Sequence, residues 1–129
     1  MKIKLTCIYV DDQDKALRFY TDVLGLQKKN DFGNGGYRWL TVSSAEDSNG
    51  TELQLAASNN PAGKAYQQAL YSQKQPALML FSDDIKADHA RIAGKGGKFT
   101  MEPTDTTGST IAQIEDGVGN IVQITQLKW

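Results

Sequence analysis

The sequence predicts an α+β fold built from two tandem βαβββ modules. Three observations carry that expectation. The stretch YVDDQDKALRFYTDVLGLQ, Tyr9 to Gln27, ends an apolar strand, opens a helix on an acidic cap and closes it on a glycine. The same order of features returns at FSDDIKADHARIAGKGGKF, Phe81 to Phe99. Each stretch is followed by three strand-like runs, and GTELQL in the first half aligns with GNIVQI in the second, which sets Gln54 opposite Gln123.

Ile3 to Val10 is rich in β-branched and aromatic residues and reads as the first strand. Alternation puts Leu5, Cys7 and Tyr9 on one face and Thr6, Ile8 and Val10 on the other. Asp12 suits an N-cap, because its carboxylate can accept from free amides of the first helical turn. Ala16, Leu17, Phe19, Tyr20, Val23 and Leu24 recur at helical spacing, and Gly25 stops the helix in a left-handed conformation. Gln27 to Phe32 follows as a strand, the GNGG run from Gly33 as a turn, and YRWLTV, Tyr37 to Val42, as a strand with Trp39 and Thr41 on one face. Ser43 to Gly50 reads as a polar loop and Thr51 to Ala57 as the last strand of the half.

Residues 59–74 bridge the halves, with Pro61 in the first turn of a short helix. Ala77 to Phe81 then opens the second half as a strand. Asp83 and Asp84 supply a cap, and Ile85, His89 and Ile92 share a helical face. Gly94, Gly96 and Gly97 end that helix. Lys98 to Glu102, Thr110 to Glu115 and Asn120 to Gln126 read as three more strands, separated by a PTDTTGS loop and an EDGVG turn. With no low-complexity linker, one domain spans 1–129: module one at about 1–58, a bridging helix at about 60–73, and module two at about 76–127.

Charge narrows the function classes. Fourteen basic residues against fifteen acidic ones leave a net charge of -1. A nucleic-acid binder needs a basic face to neutralise phosphates, and none is evident. No apolar run approaches membrane-spanning length, and MKIKLTCIYVDD is a poor signal peptide, so a cytoplasmic protein is expected. The single cysteine, Cys7, cannot form an internal disulfide and is expected as a small buried strand residue. The single histidine, His89, is expected on a helix face packed at the sheet edge or partly solvated. The Asp pairs read as helix caps, and Arg38 as a surface charge pointing away from Trp39.

With those residues in place, the chain resembles the vicinal oxygen chelate superfamily, the group of glyoxalase I, extradiol dioxygenases, fosfomycin-resistance enzymes and bleomycin-binding proteins. The matching pieces are YVDDQDKALRFYTDVLGLQ, YRWLTV, TELQL, DDIKADHARIAGKGGKF and DGVGNIVQI. The resemblance implies modules whose mixed sheets curl around a shared cleft, and a homodimer. It also implies four metal-ligand positions, one on the first and one on the last strand of each module. Those positions fall on Leu5, on Gln54 with Glu52 as the alternative, on Ala77 and on Gln123. Leu5 and Ala77 offer no donor atom and two neutral amides would bind a divalent ion weakly, so neither metal nor other cofactor is expected. In the turn before Gln123, Gly117 and Val118 replace the family's usual Pro-Asp.

The first strands should turn Leu5, Cys7 and Tyr9, and Ala77, Met79 and Phe81, toward the cleft, joined by Trp39, Glu52, Gln54 and Gln123. An apolar and aromatic lining with a few amides suits a flat or aromatic small molecule. Metal-independent binding, as in bleomycin-resistance members, is the first expectation. The alternative is a glyoxalase-like lyase, isomerase or dioxygenase with a degenerate metal site at Glu52 or Gln54 with Gln123. An interaction module whose paired sheets serve dimerisation is the third.

Overall fold

Alternating strands bury one face only when something apolar covers it, and each half of this chain supplies one helix for that purpose. The computed structural model describes residues 1–129. In order, the elements are β1 (Leu5–Val10), α1 (Gln13–Arg18), β2 (Gln27–Asn34), β3 (Tyr37–Ser44), β4 (Asp47–Ala57), α2 (Pro61–Ser72), β5 (Leu78–Phe81), α3 (Ile85–Gly94), β6 (Lys98–Asp105), β7 (Ser109–Glu115) and β8 (Ile121–Leu127). Two four-stranded sheets result, ordered β1-β4-β3-β2 (sheet A) and β5-β8-β7-β6 (sheet B). In each, the first strand runs parallel to the last and the other pairs are antiparallel. The fold is α+β with two tandem modules, as the repeat predicts.

The helix-covered faces form one continuous core. Ile8, Val10, Leu40, Val42, Leu53 and Leu55 of sheet A meet Ala16, Tyr20 and Leu24; Ala112, Ile114, Val122 and Ile124 of sheet B meet Ile85 and Ile92. Asp12 and Asp84 cap their helices by accepting from the amides of Lys15 and Ala87 at 3.0 and 3.1 Å. Their neighbour Asp11 is no cap: its carboxylate accepts from Ser58 Oγ.

Several boundaries differ from the sequence reading. The expected loop at Ser43–Gly50 is a tight hairpin, since β3 runs on to Ser44 and β4 begins at Asp47. The PTDTTGS segment likewise stays paired through Thr104 opposite Ile111 and Asp105 opposite Thr110. Backbone pairing continues there although the side chains are polar, because solvent takes the side chains while the neighbour strand takes the amides. The first helix also changes pitch: after Arg18 a π-helical turn spans Phe19–Val23. In the wider turn the amide of Leu24 reaches Phe19 O at 3.0 Å and that of Leu26 reaches Tyr20 O at 2.9 Å.

Tyr20, fully buried, is the centre of a polar lock between the modules. Its hydroxyl donates to Asp116 Oδ2 at 2.7 Å, and the amides of Val118 and Asn120 donate to Oδ1 at 2.9 Å each. Asn120 Nδ2 bonds both Asp116 Oδ2 at 2.8 Å and Tyr9 O at 2.7 Å. The side chain of Gln67 on α2 donates to Tyr9 O at 3.1 Å and Val118 O at 2.9 Å. Burial pushes the Asp116 carboxyl above its ordinary value against the pull of these donors, and burial beside Asp116 pushes the Tyr20 phenol well up.

Candidate functional site

The faces turned away from the helices are open. Register fixes what they carry: Leu5 pairs with Glu52, Cys7 with Gln54 and Tyr9 with Ala56, while Thr41 pairs with Gln54 and Ser43 with Glu52. On sheet B, Met79 pairs with Gln123, and Gln123 with Gln113. Large apolar side chains stand exposed on these faces, among them Leu5 at 40%, Tyr37 at 59%, Met79 at 49% and Phe81 at 63%. Isolated exposed apolar residues are ordinary, but a row of them on both sheets needs a partner or a ligand.

On sheet A, Cys7, Tyr9 and Gln54 line a cavity of about 240 Å³ with Gln13, Tyr37 and Arg38. Cys7 is exposed rather than buried, a correction to the sequence reading: α2 only partly covers the face on which alternation places it. The partial burial it has raises its thiol pKa. Arg38 is no free surface charge. It donates to Asp31 through Nε and to Asp14 through Nη1 at 2.8 and 2.6 Å, which raises its pKa and lowers that of Asp31.

Glu52 stands beside Leu5, outside that cavity's lining. Its Oε1 accepts from Thr41 Oγ1 at 2.7 Å and Asn30 Nδ2 at 2.9 Å. The Thr41 bond first, then that of Asn30, holds the carboxyl below the usual range, so it is ionised at neutral pH. Trp39 shares this face by alternation. Ala77 meets Cys7 and Tyr9 across a gap of only about 20 Å³ beneath α2.

On sheet B, Gln123 accepts from Gln113 Nε2 and donates to Thr125 Oγ1, both at 3.2 Å. Gln113 in turn lines a cavity of about 520 Å³ with Tyr71, Lys74, Met101, Glu115 and Ile121. Phe81 lines a third groove of about 480 Å³ with Leu24, Leu80 and Arg91. The sheet-A and sheet-B cavities share no lining residue. The structure therefore brings Cys7, Tyr9 and Gln54 together and sets Leu5 beside Glu52 and Met79 beside Gln123. Tyr37, Gln113, Tyr71 and Glu115 were missed by the sequence reading. Strand alternation from Trp39 points to Tyr37, but Gln113 follows only from its pairing with Gln123 on the neighbouring strand, and nothing local signals Tyr71.

The four expected metal-ligand positions occupy equivalent places in the two modules. Leu5 lies across from Glu52, two residues before Gln54, and the amide of Ala77 bonds Ile121 O, two residues before Gln123. No three His, Cys, Asp or Glu side chains gather anywhere within reach of a common metal ion. With two aliphatic side chains and two amides, this donor set does not fit a divalent ion. His89 is far from these chemistries: it pairs with Glu102 and packs on Phe99 with ring centroids 4.4 Å apart. No helix is long and apolar enough to cross a membrane.

Comparison with known proteins places the fold. An uncharacterized protein of Bacillus subtilis (strain 168), YurT, is 46% identical over 126 residues, covering 98% of this chain and 99% of that one. A probable lactoylglutathione lyase of Synechocystis sp. (strain ATCC 27184 / PCC 6803 / Kazusa) is 30% identical over 125 residues, covering 94% and 92%. Among solved structures, TnmS3, described as an antibiotic binding protein from Streptomyces sp. CB03234, superposes with a TM-score of 0.79 at 26% identity, covering 99% of this chain and 97% of that one. The model of the Glyoxalase/Bleomycin resistance protein/Dioxygenase superfamily matches residues 2–124, and the chain belongs to that superfamily.

Proposed function

We propose that this protein binds a small, apolar or aromatic molecule on its open sheet faces without a metal or other cofactor. The observation that carries the reading is the exposed row of Leu5, Cys7, Tyr37, Met79 and Phe81, interleaved with the amides Gln54 and Gln123 where a metal-dependent relative needs charged ligands. Apolar rings would be gripped by area, and the amides would set orientation. The likeness to a protein described as antibiotic binding supports it. So does the ionised Glu52, which lacks the companions that would make it a metal site.

Such binding needs a closed cleft, and one chain leaves both faces open. A homodimer, in which a second copy covers them, completes the reading, and a cytoplasmic protein with one unpaired thiol is consistent with it. The test is elemental analysis of protein purified without chelators, beside thermal shifts with a panel of aromatic compounds. The reading predicts ligand-dependent shifts in metal-free protein. Stoichiometric, tightly held zinc, nickel, manganese or iron would overturn it.

The name of the Synechocystis relative favours a second reading, a lyase or isomerase. It predicts that added divalent metal gives turnover of a hemithioacetal, and that Glu52→Ala or Gln123→Ala abolishes it. Turnover insensitive to both substitutions, or none at all, removes it.

A further inference from the structure

The sheet-B cavity contains polar groups that packing does not require. Glu115 closes β7 on the open face. Its cross-strand partner is Lys98, yet the two lie beyond ion-pair distance, since no salt bridge joins them. The carboxylate is met instead from outside the sheet, by the phenol of Tyr71 on α2, which donates to Oε1. This is the only side-chain hydrogen bond tying the last turn of α2 to module two, and Oε2 is left without a protein donor.

α2 ends immediately beyond. Lys74 takes a φ of 57°, the only non-glycine residue in the left-handed region, and the amide of Gln75 then reaches Leu70 O at 2.9 Å. A left-handed conformation is sterically unfavourable at a residue with a Cβ. Asparagine or glycine would terminate the helix without that cost, and the lysine at this position lines the cavity. Met101 and Ile121 give the same cavity apolar lining, and Gln113 adds an amide. Methionine adapts its shape to what lies on it.

We propose that Glu115, aimed by Tyr71, selects ligands that present a hydroxyl donor on an apolar ring to the sheet-B cavity. The ring rests on Met101 and Ile121, and the hydroxyl donates to the free Oε2. A bond to an ionised acceptor is worth more than one between neutral groups, so the carboxylate discriminates where the amides only orient. Tyr71 is a positioning residue: by occupying Oε1 it fixes the carboxylate plane. This proposal rests on the small-molecule reading above, from which its failure is separable.

The test is calorimetric titration with 2-naphthol and with 2-methoxynaphthalene, which has the same rings and no donor. Wild-type protein is expected to bind 2-naphthol about tenfold more tightly. Glu115→Leu should erase that preference while leaving 2-methoxynaphthalene bound. Tyr71→Phe should weaken 2-naphthol several-fold and leave 2-methoxynaphthalene unchanged. Asp83→Asn, which removes a negative charge elsewhere, should preserve the preference. Equal affinity of wild-type protein for the two compounds, a preference that survives Glu115→Leu, or tighter 2-naphthol binding by Tyr71→Phe overturns the proposal alone. Failure of both compounds to bind overturns the proposal, while the parent reading stands or falls on the wider aromatic panel and the metal analysis.

Discussion

Asp116 shows how one side chain can decide whether the two modules hold together. It accepts from the Tyr20 hydroxyl, the Asn120 amide group and two backbone amides, all at 2.9 Å or less. Asp116→Ala would strand four donors in a buried setting, and we expect a loss of about 3 kcal/mol or more in urea unfolding. Tyr20→Phe removes one bond and keeps the ring, so its cost should be nearer about 1–2 kcal/mol. The pH response has a definite sign. Burial raises the folded-state pKa of Asp116, so the stability it contributes is fully present below the unfolded carboxylate value and is lost as pH rises through the raised one. Asp116→Asn cannot titrate. The unfolding free energy of wild type relative to this variant should therefore fall with pH from about pH 4 upward. A difference that stays flat or grows there would contradict the assignment.

At the scale of elements, the bridging helix α2 is seated by two close approaches. A Cβ on Gly63 would lie 2.6 Å from Tyr9 Cε1, and one on Gly119 would lie 2.3 Å from Gln67 Nε2. Gly119 also sits at a φ of 103°, which side chains rarely adopt. Gly119→Ala should cost more than about 1 kcal/mol in chemical unfolding, because it adds backbone strain and displaces Gln67 from two carbonyls. An unchanged midpoint would mean that α2 is held by something else. These contacts explain what the sequence made legible and what it hid. The βαβββ repeat was readable because strand alternation, Asp12 and Asp84 caps and the Gly25 stop are local signals. The pairing of Leu5 with Glu52, Cys7 with Gln54 and Met79 with Gln123 is in keeping with the same alternation. Cys7 was misjudged because whether a strand face is covered depends on where the helices pack, not on the strand. The Tyr20–Asp116 bond and the Tyr71–Glu115 pair join residues 96 and 44 positions apart, and no local pattern announces them.

For the whole molecule, the duplicated architecture gives two four-stranded sheets of the same order in one chain. The helix-covered sheet faces form the shared core, which leaves apolar side chains of the opposite faces exposed to a partner or a ligand. Light scattering on the purified protein should report twice the mass of the 14.2 kDa chain, and a monomer across the micromolar range would contradict the homodimer. The proposed function turns on a simpler expectation: Leu5 and Ala77 fall where the family resemblance puts metal ligands, and neither side chain carries a donor atom. The most direct test is to titrate an aromatic ligand such as 2-naphthol into protein dialysed against a strong chelator, and to repeat the titration after adding divalent metal. The account predicts the same affinity in both. Binding that appears only when metal is restored would contradict it.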